Sequence, residues 1–441
     1  MGNGTTLEHC VLTDRGRRRA ANQDSTGVFK PGTPDQYWWK GWLFVVADGM
    51  GAHAAGEQAS ALATEEVVRH HESSTTRSPP LALRTAIERA NAAIHARGES
   101  DPDVRGMGTT CTALVIVPRG ALVGHVGDSR AYRVRRGSIE QLSRDHSLAW
   151  DAEAHRVAGG DDQVPIPPRN IITRSLGPHP QVDVDLEGPT PVEAGDVFVL
   201  CSDGLSGQVD DAEIGLFAGS LPPPRAAEAL LGLALVRGGP DNVTLAVIRA
   251  GKDEESTTAV DDKPWPLAEP PPAREPRPVP WRLLTVSAAS LLACLMVNPW
   301  SPLVVPASQE GAALLDALLG SDLAAVVGTI VGATAALTCV AALSAAIVSV
   351  TNADEQPVEQ LRPGARLGGG PYRSAECRPS TPLLDRVVQS VESPVDDADD
   401  RLAALVAEAR RRLSDGDLGG ALDVTADAIA IRSGRAPGTT A

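Results

Sequence analysis

The sequence predicts an α+β fold for residues 7–250, because short strand-like runs outnumber amphipathic helices there. The strand candidates are apolar, β-branched runs with turn signals at their ends. They are residues 42–47, 111–117, 121–126, 182–186, 197–201 and 243–248. Helices are expected at residues 56–71 and 225–236. A further helix is expected where four residues form one apolar stripe: Leu83, Ile87, Ala90 and Ile94.

Length, charge and cysteine content limit the classes of protein to which the chain can belong. The 441 residues are too many for one ordinary core, so two or more structural units are expected. The net charge of −16 argues against nucleic acid as the main partner, because phosphate backbones attract dense Lys and Arg. The 6 cysteines have no zinc-site spacing, which favours a reduced, cytoplasmic setting. The N-terminal residues lack the pattern of a signal peptide.

A linker and two apolar stretches follow the first domain. Residues 251–282 are rich in Pro and charge, which predicts a semi-extended linker. The stretches 283–305 and 323–350 are uncharged, and a helix needs about 20 such residues to cross a bilayer. Arginines flank the pair and only acidic residues charge the loop between them, so both ends are expected in the cytoplasm. The prediction is a two-helix transmembrane hairpin over residues 283–350; the alternative is a pair of core helices in a soluble domain.

The tail, residues 351–441, has a helical pattern near residues 398–432 with a glycine-containing turn inside it. The pattern resembles one helix pair of the tetratricopeptide type. One such unit cannot form a stable solenoid, because each repeat must bury its apolar face on a neighbour. An amphipathic hairpin that packs on itself or on a partner is therefore expected.

Four aspartates lie at the ends of strand-like runs: Asp48, Asp128, Asp203 and Asp241. A strand end holds a carboxylate rigidly, and the glycines after Asp48 and Asp203 allow close approach of backbone or metal. Hard divalent cations such as Mg²⁺ and Mn²⁺ prefer oxygen ligands of this kind. One Asp-Gly pair alone would indicate only a turn, but four such positions together indicate a metal centre.

Eight segments resemble, in order, the motifs of the metal-dependent protein phosphatases of type 2C. They are TDRGRRRAANQDS, VVADGMGAHAAGEQAS, MGTTCTALVI, GHVGDSRAY, LSRDHS, ITRSLG, LCSDGLSG and GGPDNVTLAV. Together they span nearly all of residues 7–248. The resemblance implies a four-layer α-β-β-α sandwich for this domain, followed by the two transmembrane helices and a short helical tail.

The resemblance also implies a metal-ligand set for two Mn²⁺ or Mg²⁺ ions and a weaker third. Asp48 would bridge the two ions, and the carbonyl of Gly49 would bind the second. Asp203 and Asp241 would complete the first ion's ligands. Asp128 matches a position associated with the third ion.

Further roles carried over from the family concern the phosphate and the proton. Arg19 matches the arginine that grips the substrate phosphate, and a planar guanidinium can make paired hydrogen bonds to phosphate oxygens. A water shared by two ions would lose a proton and attack phosphorus. His53 would donate a proton to the leaving group, or would make only a polar contact. Cys201 lies in an apolar strand, so it is expected to be a core residue.

The chain departs from the family pattern at Gln23, where Glu is common. A neutral amide weakens charge compensation at the second ion. Asp24 is expected to support the ligands without binding metal, and residues 147–169 correspond to a variable flap beside the site. Three more polar residues are expected to be packing or supporting groups: Thr109, Thr110 and Ser202.

The predicted function is a protein serine/threonine phosphatase at the cell membrane, with its catalytic domain in the cytoplasm. Its partners would be phosphorylated proteins and the membrane, without nucleic acid. The alternative is a catalytically weak scaffold that binds phosphoproteins; Gln23 favours it. Three converging carboxylates, from Asp48, Asp203 and Asp241, argue against it because binding alone does not need them. A transporter is excluded because two membrane helices leave little room for a pathway.

Overall fold

The computed structural model describes most of the chain outside the apolar region. The described residues are 7–51, 55–157, 167–168, 171–251, 263–268, 281–297, 317, 330, 333–345, 359–392 and 400–435. The chain divides into two compact units. The first contains Met1–Ala268 and Glu359–Ala441, and the second contains Glu269–Val358. The tail therefore belongs to the same compact unit as the predicted phosphatase domain.

Two antiparallel sheets form the centre of the first unit within the described residues. The first sheet has the order β1 (Leu7–Asp14), β11 (Val243–Ala250), β10 (Val197–Cys201), β7 (Arg130–Arg135), β8 (Ser138–Gln141) and β14 (Arg373–Glu376). The second has the order β2 (Asp24–Phe29), β3 (Trp42–Met50), β5 (Cys111–Val117), β6 (Gly120–Val126) and β9 (Asp185–Thr190), with β4 (Gly108–Thr109) paired to β3. The chain thus alternates between the sheets, which brings loops from both sheets to one end.

Helices cover the outer faces of both sheets. In chain order, the helices that precede the linker are α1 (Pro34–Trp39), α2 (Ala55–Ser73), α3 (Pro79–Ser100), α4 (Leu148–Val157), α5 (Asp203–Ser206), α6 (Asp211–Ser220) and α7 (Pro223–Val236). The apolar faces of α2 and α3 pack on the second sheet, and those of α6 and α7 pack on the first. A third apolar cluster, which includes Phe44, Leu114 and Phe198, fills the space between the sheets. The mixed α and β content predicted from the sequence is confirmed.

One strand differs in position from its prediction. The sequence predicts a strand over 182–186, whereas β9 begins at Asp185 and continues to Thr190. Asp185 pairs with His125, one residue before the end of β6 at Val126. Because β6 ends one residue further on, at most one residue before Asp185 could continue the antiparallel pairing.

The tail packs on α7 in the first unit. Its helices are α9 (Thr381–Glu392), α10 (Asp400–Ser414) and α11 (Leu418–Ser433), and the last two correspond to the helical pair expected near residues 398–432. Their buried side chains belong to the same hydrophobic cluster as those of α6 and α7. The packing is close, because a Cβ atom on Gly232 of α7 would lie 2.7 Å from Ile429 Cγ2. Arg225 of α7 also bonds Asp423 and Asp427 at 2.6 and 2.8 Å.

The chain leaves the first unit before the apolar region and re-enters it afterwards at neighbouring points. Strand β12 (Trp265–Pro266) pairs antiparallel with β13 (Gln360–Leu361), so the chain leaves and re-enters side by side. In the second unit, helix α8 covers Trp281–Val297, and residues 333–345 are also helical. No helix among the described residues is long and apolar enough to cross a membrane. The predicted transmembrane hairpin is thus not confirmed, and much of residues 283–350 lies outside the described part.

Candidate metal centre

Two aspartates on adjacent strands of the second sheet form the middle of the site. Asp24 on β2 pairs in register with Asp48 on β3. Burial, followed by the charges of Asp24, Asp203 and Asp128, raises the pKa of Asp48 well above its ordinary value. Burial also raises the pKa of Asp24 to about 6, although hydrogen bonds from Thr244 and Ser202 oppose the change. Carboxyl groups this close cannot all ionise without a compensating cation.

The backbone around Asp48 is fixed by two threonines. Asp48 N donates to Thr110 Oγ1 at 2.9 Å, and Thr109 Oγ1 donates to Asp48 O at 2.9 Å. The next residue, Gly49, lies so close to α2 that a Cβ atom there would be 2.1 Å from Gly56 O. Glycine is therefore the residue that allows β3 and the start of α2 to meet beside the site. Thr109 and Thr110 act as supporting groups, as the sequence predicts.

The first sheet contributes Asp203, which follows β10 and begins α5. Its carboxyl group hydrogen-bonds that of Asp48, so the two sheets meet through paired acids. Burial, followed by the charge of Asp241, raises the pKa of Asp203. Asp128 follows β6, and burial, then Asp203, raises its pKa to about 8.

Three buried carboxylate oxygens in this group accept no hydrogen bond within the described residues. They belong to Asp24, Asp128 and Asp203, and each is an Oδ1 atom. Buried acceptors usually have a partner, because an unsatisfied one costs about 1–3 kcal/mol. Oxygen atoms are also the ligands that Mg²⁺ and Mn²⁺ prefer. The donor set therefore fits divalent cations.

Arg19 and Asp241 form an ion pair at the open side of the site. Arg19 Nη2 donates to Asp241 Oδ2 at 2.7 Å, and both side chains are partly exposed. The guanidinium that the sequence predicts to bind phosphate thus lies beside the carboxylates. In the described part of the chain, no three His, Cys, Asp and Glu side chains stand in the spacing of a formed metal site. Asp48 and Asp203 instead share a hydrogen bond, and Asp241 holds Arg19.

Asn242 fixes the loop that carries Arg19. Its Nδ2 donates to Arg15 O at 2.8 Å and Ala21 O at 2.9 Å, and its Oδ1 accepts from Gln23 N at 2.8 Å. Asn242 is 3% exposed, so these bonds are shielded from water. One buried amide therefore holds both ends of the arginine-rich loop against the loop of Asp241. Asn242 lies in the GGPDNVTLAV segment, but its role could not be predicted because its partners come from a distant loop.

Comparisons with known proteins give the family. The model of the family described as "Protein phosphatase 2C" matches residues 14–228. The serine/threonine phosphatase stp of Listeria welshimeri is 32% identical over 243 residues, which cover 54% of this chain and 93% of that protein. The chain belongs to the protein phosphatase 2C family.

A second relative is longer than the matched region. The serine/threonine protein phosphatase PstP of Mycobacterium tuberculosis is 36% identical over 242 residues, which cover 55% of this chain and 44% of that protein. The chain thus spans less than half of the length of PstP. The crystal structure of the PstP catalytic domain in complex with 2 manganese ions has 33% identity, covers 56% of this chain and 99% of that chain, and gives a TM-score of 0.47.

A buried ionic network supports the Asp128 side of this protein phosphatase 2C domain. Arg130 donates to both carboxylate oxygens of Asp145, at distances from 2.7 to 3.0 Å. Arg130 also donates to Tyr132 Oη at 3.0 Å, and Gln141 Nε2 donates to Asp145 Oδ1 at 2.7 Å. Arg130 and Asp145 lie in the motifs GHVGDSRAY and LSRDHS, but their pairing was not predictable because a paired buried arginine has no spacing signature.

Two predicted features of the site have different outcomes. His53 lies outside the described residues, so its role stays a prediction. Gln23 lies beside the metal centre: its carbonyl oxygen accepts from Gly49 N at 3.1 Å. Its side chain reaches α2, where a Cβ on Gly56 would be 2.6 Å from Gln23 Nε2. The amide thus lies near the carbonyl group predicted to bind the second ion.

The raised pKa values predict that chelator-treated protein loses stability as pH rises. The pKa of Asp128 is about 8 in the folded chain, against about 4 in an unfolded chain. Its contribution is complete below pH 4 and is lost as pH rises through 8, because the folded state then gives up its extra proton. The melting temperature of wild type should therefore fall relative to that of Asp128→Asn between pH 5 and 9. Parallel curves for the two proteins, measured with EDTA, would contradict this assignment.

Proposed function

We propose that the chain is a protein serine/threonine phosphatase that depends on Mn²⁺ or Mg²⁺. The observation that carries the proposal is the group of Asp24, Asp48, Asp128 and Asp203 with raised pKa values, beside the Arg19–Asp241 pair. The names of the relatives, all serine/threonine or protein phosphatases, support the same activity. Phosphorylated proteins are the proposed substrates.

Asp48, Asp203 and Asp241 would hold the ions, with the Gly49 carbonyl and Asp128 as further ligands. Bound there, divalent cations would supply Lewis acidity and lower the pKa of a coordinated water. Asp24 would stay unmetallated and accept from Ser202 Oγ, which donates to it at 2.8 Å. With cations held by these carboxylates, Asp241 would no longer need Arg19 for charge balance. The Arg19 guanidinium is then available to bind phosphate oxygens and offset their charge.

The strongest test is manganese-dependent release of phosphate from a phosphothreonine peptide by the full chain. Arg19→Ala should lower kcat/KM about 10- to 100-fold, because charge-assisted hydrogen bonds contribute about 1.5–3 kcal/mol. The matched control is Arg18→Ala, which removes the neighbouring exposed arginine and should change kcat/KM less than about twofold. A wild-type chain that binds the peptide without releasing phosphate would favour the scaffold.

We also propose that the second unit tethers the phosphatase to the membrane, with the catalytic unit in the cytoplasm. The pairing of β12 with β13 supports this, because a hairpin that enters and leaves one face needs neighbouring ends. Large apolar side chains exposed in this region also support it, including Leu292, Leu337 and Val340 at 60%, 71% and 64%. Recovery of the full chain in the soluble fraction of lysed cells would contradict the tether.

A further inference from the structure

A strand from the tail forms the edge of the first sheet beside the flap. Strand β14 pairs antiparallel with β8, and Arg373 lies opposite Gln141 in this pairing. Gln141 in turn donates to Asp145, the partner of Arg130. The tail therefore reaches the buried network that supports Asp128, although about 90 residues, Glu269–Val358, separate it from the rest of the first unit.

The side chain of Arg373 holds helix α4 of the flap. Its guanidinium carbon lies 4.1 Å from the centroid of the Trp150 ring. Its Nη2 also donates to the carboxylate of Glu153, one turn further along α4. The ring of Tyr372 meets the same tryptophan edge-on, with centroids 6.3 Å apart. A guanidinium is suited to this double role because it can stack on an aromatic face and bind a carboxylate in its own plane.

The cleft between this contact and the metal centre has a volume of about 150 Å³. Asp128 and Asp203 line it on the side of the proposed ions, and Trp150, Glu153 and Arg373 line it on the side of the flap. A phosphorylated side chain that reaches the ions would leave its neighbouring residues along this cleft. The wall formed by the tail and the flap therefore lies where a protein substrate would extend beyond its phosphate.

We propose that Arg373 is a positioning residue for protein substrates: it fixes α4 through Trp150 and Glu153, and so shapes the cleft that takes the residues flanking the phosphorylated one. The proposal rests on the proposed phosphatase function. Part of substrate selection would then depend on β14 of the tail, which follows the apolar region in the chain. A small aryl phosphate has no flanking residues, so it does not use this wall.

The test compares two substrates in the full chain with Mn²⁺: a phosphothreonine peptide and p-nitrophenyl phosphate. Arg373→Ala should raise KM for the peptide roughly 5- to 20-fold, the combined effect of losing one cation–π contact and one partly exposed ion pair. Its kcat for the peptide, and its kcat/KM for the aryl phosphate, should stay within about twofold. Arg373→Lys keeps the charge beside Glu153 but loses the planar stack on Trp150. Its KM for the peptide should therefore lie between those of wild type and Arg373→Ala.

The matched control is Arg378→Ala, a change in the same segment. Arg378 contacts the backbone of Arg136 at 3.4 Å instead of the flap, so both substrates should be hydrolysed as by wild type. Equal losses for both substrates in Arg373→Ala would show a general structural defect and overturn the proposal. Unchanged peptide kinetics would also overturn it. If the wild type hydrolyses neither substrate, the proposed function itself fails, which is a different result from either of these.

Discussion

Asp48→Asn should abolish phosphatase activity and at the same time stabilise the chelator-treated protein. Asp48 hydrogen-bonds Asp203 and interacts electrostatically with Asp24 and Asp128. Its carboxylate is therefore the negative charge at the centre of the group, and bound cations would have to compensate it. A neutral amide would bind divalent cations more weakly than a carboxylate. The loss of Lewis acidity and charge compensation should cost about 4 kcal/mol or more of transition-state stabilisation, about a thousandfold in kcat.

The same group of aspartates explains why Asp48→Asn should stabilise the metal-free protein although it abolishes activity. Replacing Asp48 with a neutral, nearly isosteric amide removes repulsion among the carboxylates, so the melting temperature in EDTA at pH 8 should rise above that of wild type. The matched control is Asp183→Asn, which changes an exposed aspartate and should alter neither property. Activity above about a tenth of the wild-type value, measured at saturating Mn²⁺, would contradict the central role of Asp48.

Ile429→Ala should destabilise the whole catalytic unit, although the substitution lies in the tail. Ile429 is fully buried in the cluster that α11 shares with α7. Truncating a buried isoleucine leaves a cavity and costs about 2–5 kcal/mol. Because α7 also packs on β1 and β11, unfolding of the tail should expose apolar side chains of the helix that supports these two strands. On heating, Ile429→Ala should therefore lose both its manganese-dependent activity and its helical circular-dichroism signal at a lower temperature than wild type, and the two losses should coincide.

The control for this effect is Ile171→Ala, which makes the same change at a side chain that is 41% exposed. Its free energy of unfolding should stay within about 0.5 kcal/mol of wild type. Two separate thermal transitions in Ile429→Ala, with activity lost only in the second, would show that the tail unfolds independently. That result would contradict a tail packed as part of the catalytic unit.

The sequence predicts the central strands well because they are buried on both faces. Residues 111–117 and 197–201 are continuous apolar runs, and they form β5 and β10 with the predicted bounds. Strand β7 has the sequence RAYRVR, in which polar and apolar residues do not alternate regularly. Its sequence pattern therefore does not distinguish it from a loop. Arg135 of this strand is paired with Asp196, 61 residues further along the chain. Pairing of this kind cannot be read from local periodicity.

The aspartates of this group were predictable for a different reason. Aspartates that follow apolar runs, such as Asp48 and Asp203, can be identified in the sequence even though their proximity in the fold cannot. The contacts of Arg373 were not predictable, because Glu153 and Trp150 precede it by more than 200 residues and the apolar region intervenes. The position of the tail depends on tertiary packing against α7 and β8, which neither composition nor spacing reveals.

The most direct test of the account is a calorimetric titration of the chelator-treated full chain with Mn²⁺ near pH 7, repeated in two buffers of different ionisation enthalpy. We expect about two ions to bind per chain. Protons should be released as they bind, because cations displace them from carboxyl groups with raised pKa values such as Asp48 and Asp128. Binding and proton release should both be lost in Asp48→Asn. A wild-type chain that takes up no manganese, or an Asp48→Asn chain that takes it up equally well, would contradict the metal centre proposed for these aspartates.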